Sequence, residues 1–331
     1  MFTFVIPHYD DWPRLKKLLD SILVECKRAD CSAVETVVVD DASPGAKQIL
    51  ESLSRDYSWA QFTTNERNCG PGVSRNRGVE IAQSKWIWFL DSDVYLAEGA
   101  IIGMLALLEE RSDLIGIGCG VGVEPVSTAP FERYKNYIEY SWQPPEGPTY
   151  SLDSKSFLVR REEFQKIKGF GHEFESPNVE DYDLGYRLIQ AGVPLYFTHR
   201  AKICHHHPGL TRQFTLFYSR ARDWMLLQRI YGIQSDDYGT SKTEGLLQVV
   251  ACLIPFATTI ALFYTPAILL LGIVAASWTY LNRRPLKLVI RRHEGSLFLI
   301  RFSLYSIVLS YAVCAGAFVG LTRIIFTRLD D

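Results

Sequence analysis

No C-x-x-C pair occurs among the seven cysteines, which are odd in number and scattered from Cys26 to Cys314. Neither a disulfide framework nor a zinc site is indicated, and a reducing compartment fits. Excess positive charge is missing too. The net charge is −2, so the electrostatic footprint of a nucleic-acid binder is absent and no nucleic-acid partner is expected. The opening MFTFVIPHYD has no basic n-region and no long apolar h-region, which argues against a signal peptide and for a cytosolic first two-thirds. Neither a Walker A segment nor G-x-G-x-x-G appears. The sharpest absence is local: residues 245–282 carry no charge at all. One bilayer crossing needs about 20 residues, and so long a charge-free stretch is too much for one buried core helix. The chain averages of 47% apolar and 22% charged are ordinary, so they hide a split.

Before that stretch, short β-rich runs alternate with amphipathic ones. Phe2–Ile6 reads as a strand closed by Pro7-His8-Tyr9-Asp10-Asp11. A helix is expected from Pro13 to Arg28, with Leu15, Leu18, Leu19, Ile22 and Leu23 on one face. Glu35–Val39 reads as a second strand, ending in Asp40-Asp41-Ala42-Ser43. A helix over Ala46–Arg55 and a weaker strand over Trp59–Thr63 follow. Alternation of this kind predicts an α/β domain with a mostly parallel sheet.

Trp86–Leu90 is large, apolar and unbroken, as expected of a strand buried on both faces. It stops at Asp91-Ser92-Asp93, where open α/β sheets place ligands. Two carboxylates at that spacing suit Mg²⁺ or Mn²⁺ beside a diphosphate. Asp and Ser equally suit an exposed turn. Upstream, Asn68–Gly78 is a glycine-rich loop entering a helix. Arg75 and Arg77 lie in its first turn, where cations oppose the helix dipole unless an anion is near. A solvated turn with two ordinary arginines is the other reading.

FTFVIPHYD, VVVDDAS, NCGPGVSRNRG and WIWFLDSDV occur in that order. The set resembles the nucleotide-sugar domain of glycosyltransferase family 2, over roughly residues 2 to 230. The resemblance implies a GT-A fold and an inverting enzyme with a nucleotide-sugar donor of UDP, dTDP or GDP type. It implies that Pro7 and Tyr9 line the nucleotide pocket and that Asp41 contacts base or ribose. Arg75 would reach the nucleotide or diphosphate. Asp91 and Asp93, flanking Ser92 in the donor site, would hold Mn²⁺ or Mg²⁺. Asp10 stands where the family usually shows Asn, a tolerable change in a turn.

Further on, Leu114–Val123 reads as a strand. Phe131–Trp142 reads as an aromatic helix packed on the sheet, with a lid or acceptor-binding segment as the other reading. Asp153–Val159 reads as another strand. Glu180, Asp181 and Asp183 then head a helix, where acids favour the dipole. The resemblance makes Asp181 the catalytic base, positioned or polarised by Glu180, with Arg187 paired to helix carboxylates. The segment Gly169-Phe170-Gly171-His172-Glu173 departs modestly from the family's acid-bearing one. A short strand is expected at Pro194–Phe197. Three histidines, His205 to His207, cannot all ligate one ion, because neighbouring side chains point different ways. His205 is the one whose register matches a metal partner in relatives; polar loop atoms or lipid phosphate are its other partners. Thr211–Ile230 reads as a basic amphipathic helix of the kind that lies in a membrane interface. RARDW stands where processive relatives carry Q-x-x-R-W, so processivity is not supported.

The expected organisation is a catalytic domain over 1–210, an interfacial helix and linker over 211–244, and a membrane domain over 245–331. The last comprises a hairpin over about 246–281, a basic loop over 282–295 and a span over about 300–321. Arg283, Arg284, Lys287, Arg291 and Arg292 put that loop in the cytosol by the positive-inside rule. Arg323 and Arg328 argue mildly against an outside C-terminus. The expected protein is a multi-pass enzyme of a cell inner membrane with a cytosolic catalytic domain. Its acceptor would be a membrane-associated glycan or lipid-linked molecule, and an oligomer stays open. A polyprenyl-phosphate sugar synthase is the nearest alternative. A sugar-phosphate nucleotidyltransferase would share the sheet and acids without needing the acid-headed helix or spans. A non-catalytic scaffold would lack the full acid set.

Overall fold

A computed structural model describes residues 2–31, 34–150, 153–171, 179–232 and 242–327. His172, Glu173, the linker over 233–241 and Arg328 lie outside the described residues. The chain forms two compact units. The sheet unit is Met1–Gly122 with Pro144–His206, and the helical unit is Val123–Gln143 with His207–Asp331.

In the sheet unit, β1 (Phe2–His8), α1 (Trp12–Arg28), β2 (Glu35–Asp40), α2 (Ala46–Asp56), β3 (Ala60–Thr64), α3 (Pro71–Ile81) and β4 (Trp86–Leu90) follow the expected alternation. β5 (Val94–Leu96), α4 (Ala100–Glu110) and β6 (Gly116–Val121) come next. The helical unit's first segment carries α5 (Pro130–Ser141). The sheet unit resumes with β7 (Gly147–Thr149), β8 (Ser156–Arg160), α6 (Arg161–Lys166), α7 (Glu180–Gln190) and β9 (Leu195–His205). The described strands form one sheet of order β3-β2-β1-β4-β8-β6-β9-β5, with β7 on β9. β3, β2, β1 and β4 run parallel; β8 is antiparallel to both β4 and β6. The sheet is therefore mixed, as expected of the GT-A type. Phe2, Phe4 and Trp88 fill one face with Leu15, Leu18, Leu19 and Ile22 of α1. Val5, Ile87 and Phe89 fill the other with Val79, Phe164 and Phe170. β4 is buried on both sides, as its unbroken apolar run requires.

Two differences from expectation lie here. β9 is an eleven-residue strand, not a four-residue one, because β5 pairs with its far end. The aromatic helix α5, expected on the sheet, belongs to the helical unit. Tyr134 and Tyr137 are core residues of the helical unit, stacked edge-on against Phe302 and Phe298.

The helical unit continues with α8 (Leu210–Tyr231), α9 (Lys242–Phe263), α10 (Ile268–Leu281), α11 (Arg283–Arg291) and α12 (Ser296–Thr327). Gly245–Phe263 and Ser296–Phe326 are each long and apolar enough to cross a membrane. The 14 residues of α10 span only about 21 Å at 1.5 Å per residue, short of a hydrocarbon core of about 30 Å. The chain then bends by 72° into α11, so most of the expected basic loop is helical. Ser310 donates to Gln248, and Tyr311 donates to the Cys252 carbonyl, so α9 and α12 run in the same direction, joined by polar contacts. α8 packs along α12. A Cβ at Gly316 would collide with the Tyr218 carbonyl, and one at Gly320 would stand 2.5 Å from that of Arg222. The absent side chains are what let the two backbones approach.

Candidate active site

β1 leads outward to β2 and β3, and the chain then returns to place β4 on the other side of β1. That reversal creates a crevice beyond the carboxyl ends of β1 and β4, the ligand position of open α/β sheets. Three segments end there: Pro7–Asp11, Asp40-Asp41 and Asp91–Asp93.

The first is held rigidly. Buried His8 donates from Nδ1 to Asp40 Oδ1 at 3.0 Å, while its Nε2 accepts the Asp11 N–H at 3.1 Å. The backbone donor fixes which ring nitrogen carries the proton. The Ser43 hydroxyl donates to Asp40 and accepts the Asp10 N–H at 2.8 Å. Asp10 adopts φ +50°, a left-handed conformation that Asn and Asp enter more easily than other side chains, which explains the tolerance of Asp there. Pro7 is buried in β1, and Tyr9 is presented with 49% of its surface exposed. The His8–Asp40–Ser43 network escaped the sequence reading. Its one signal was a histidine closing a strand whose other residues are all buried.

Asp41 is turned toward the glycine loop. It accepts Asn65 Nδ2 at 2.7 Å, Cys69 N–H at 3.0 Å and Gly70 N–H at 2.7 Å. Gly70 sits at φ +85°, where a side chain would be strained, and α3 starts at the next residue. Both arginines of α3 are engaged within the sheet unit. Arg77 donates to the Thr64 carbonyl, Asn65 Oδ1 and Thr63 Oγ1, fastening the loop to β3. Arg75 is 2% exposed and lies over the Phe170 ring. It donates to Asp91 at 2.5 Å and to Glu180 at 3.3 Å. Burial alone would lower its pKa, but Asp91 and Glu180 raise it, so the guanidinium stays charged. Arg75 thus links the acid at the end of β4 to the first residue of α7.

Glu180 is buried and Asp181 half-buried at the start of α7. Asp183 pairs with Arg187, as expected, and Arg187 also donates to the Ile167 and Gly169 carbonyls. At the end of β4, Asp91 and Ser92 are half-buried, and Asp93 keeps 32% of its side chain exposed. The β5–β9 register sets His205 opposite Val94, and His205 Nε2 lies 3.8 Å from Asp93 Oδ1. Lost hydration and then the charge of Asp91 hold the Asp93 carboxyl above its ordinary range, with His205 opposing; its remaining exposure limits that rise. Asp93 and His205 thus bring one carboxylate oxygen and one imidazole nitrogen within 3.8 Å, a pair of donor types that suits a divalent cation such as Mn²⁺. His206 faces the Tyr95 ring, and His207, in the helical unit, lies 3.3 Å from Glu139 of that unit.

A mixed sheet whose switch point gathers these acids is the architecture of the GT-A nucleotide-sugar transferases. Residues 3–168, half of the chain, match the family model described as Glycosyl transferase family 2, and the chain belongs to that family. It is 32% identical over 114 residues to the succinoglycan biosynthesis protein ExoO of Rhizobium meliloti (strain 1021), covering 34% of this chain and 30% of that protein. It is 25% identical over 251 residues to the pre-mycofactocin glycosyltransferase of Mycobacterium tuberculosis (strain CDC 1551 / Oshkosh), covering 70% and 46%. The matches thus span between about a third and a half of these relatives' lengths. Identity is 22% to the amylovoran biosynthesis glycosyltransferase AmsB of Erwinia amylovora, over 69% of this chain and 79% of that one. Among solved structures, the mannosyltransferase PcManGT from Pyrobaculum calidifontis, in complex with GDP-Man and Mn²⁺, shares the fold at TM-score 0.57 and 12% identity. That similarity covers 95% of this chain and 86% of PcManGT.

Proposed function

We propose that this protein is a membrane-bound inverting glycosyltransferase of polysaccharide biosynthesis. It moves a sugar from a nucleotide-sugar donor to a membrane-associated glycan or lipid-linked acceptor. The observation that carries the reading is the link Asp91–Arg75–Glu180, which ties the acids ending β4 to those heading α7 at the switch point. Its support among relatives is that ExoO and AmsB are named for polysaccharide biosynthesis and that PcManGT holds GDP-Man with Mn²⁺.

Tyr9 offers an exposed aromatic face for the nucleobase. Asp41 acts by shaping the glycine loop against which the donor lies. Asp91, Asp93 and His205 would hold a divalent cation, which neutralises charge on the leaving diphosphate. Asp181 takes the proton from the acceptor hydroxyl. That oxygen attacks the anomeric carbon as the bond to the diphosphate breaks. The nucleoside diphosphate leaves with the bonding pair on the opposite face, so configuration inverts. Glu180, held by Arg75, keeps Asp181 in place. The helices α9 and α12 would anchor the enzyme, with the sheet unit in the cytosol at the inner membrane.

The test is nucleoside diphosphate release by the full chain in detergent over a panel of UDP-, dTDP- and GDP-sugars. One donor class should be consumed, and EDTA in excess should stop it. Asp93→Ala should lower the rate about 10³-fold, as loss of several kcal/mol of charge stabilisation demands. Undiminished turnover in EDTA or in Asp93→Ala would contradict the reading.

A further inference from the structure

We infer that α11 is a docking surface for anionic phospholipid headgroups. The inference rests on the membrane reading of the helical unit but not on the transfer chemistry. From Asn282 to His293 there are five arginines and lysines and no acid: Arg283, Arg284, Lys287, Arg291 and Arg292. One side of α11 is fixed to protein. Pro285 and Val289 are buried, and Leu286 and Leu288 pack with Trp278, Leu281 and Phe298. The other side is outward: Arg283, Arg284, Lys287 and Arg291 are exposed.

Arg292 pairs with Glu124, Arg283 lies over the Tyr280 ring and Arg284 over the Trp142 ring. Among the described residues, Lys287 and Arg291 make no ion pair. Charge is thus left for a partner of opposite sign. Ile290 stands on the same helical face as Lys287 and Arg291 and is 64% exposed. Tyr280, Leu297 and Ile300, at the adjoining ends of α10 and α12, are exposed too. A face that mixes cations with apolar and aromatic side chains matches the headgroup layer, where phosphates meet the first acyl carbons. The 72° bend fits as well, since α11 turns away from the line of α10 just where the charges begin. Clustered cations of this kind beside a span are attracted to anionic lipid rather than to zwitterionic lipid.

Native mass spectrometry of the full chain in detergent, offered equal phosphatidylglycerol and phosphatidylcholine, tests this. Phosphatidylglycerol adducts should dominate, and the preference should weaken as salt rises. Lys287→Gln with Arg291→Gln should lower it about fivefold per cation removed. Arg212→Gln, an exposed cation on α8, should leave it unchanged. All three residues are solvent-facing, and the salt series uses the unaltered chain, so folding does not confound the result. Equal retention of the two lipids, or a preference surviving the double substitution, would overturn the headgroup site alone. Retention of neither lipid would overturn the membrane reading with it.

Discussion

The two units treat the same side-chain types in opposite ways. In the sheet unit, polar groups are buried and matched: Asp40, Asp41, Arg75 and Glu180 lie inside, each with named partners. In the helical unit, apolar groups are turned outward. Leu262, Phe263, Leu269 and Phe318 are 77%, 88%, 77% and 68% exposed. Water penalises the second pattern and a hydrocarbon layer does not, which supports the membrane anchorage proposed for the helical unit. Stability follows different rules in each. The sheet unit depends on satisfying buried charge, because an unpaired one is costly. In the membrane proposed for it, the helical unit would have no hydrophobic drive between its helices and would depend on close backbone contact.

Substitutions at three positions probe that contrast. Arg75→Met leaves Asp91 and Glu180 without their shared cation and should destabilise the sheet unit by about 3–5 kcal/mol. Arg75→Lys should recover little, since an ammonium lacks the planar fork that reaches both acids. Denaturant unfolding with near wild-type stability would show the link to be incidental. Gly316→Val forces α8 and α12 apart and should cost about 1–3 kcal/mol in detergent. Nucleotide binding, measured by calorimetry, should persist, because the damage stays in the helical unit. The smallest effect concerns Asp40. Burial would raise its pKa, but hydrogen bonds from His8 and Ser43 outweigh that and hold it below 3.8. A depressed carboxylate stabilises the fold above its unfolded value and loses that contribution as pH falls through the folded one. The wild-type melting temperature should therefore fall more steeply than that of Asp40→Asn below about pH 4. At neutral pH the variant should be less stable by about 1 kcal/mol. Parallel acid curves would remove the His8–Asp40 network from the account.

Residue order made the sheet unit legible where one force acted alone. The unbroken apolar run of β4 could only be doubly buried, and the acids after it could only lie at its carboxyl end. What failed was pairing at a distance. Nothing local to Arg75 announces its partners Asp91 and Glu180, 16 and 105 positions away. α5 was misplaced for the same reason: its aromatic face declares a core but not which one. For α8, amphipathicity alone does not say what covers the apolar side. The glycines that decide it, Gly316 and Gly320, lie on another helix.

The central claim is that the acids heading α7 perform chemistry rather than cap a helix. Single-turnover transfer by Asp181→Asn, alongside its melting temperature, decides it. The account predicts a folded protein with unchanged donor affinity and a rate lowered about 10²- to 10⁴-fold, the contribution of a general base. Stability lower by about 0.5–2 kcal/mol with the rate largely kept would mean that Asp181 only caps α7, and would leave the proposed transfer without its base.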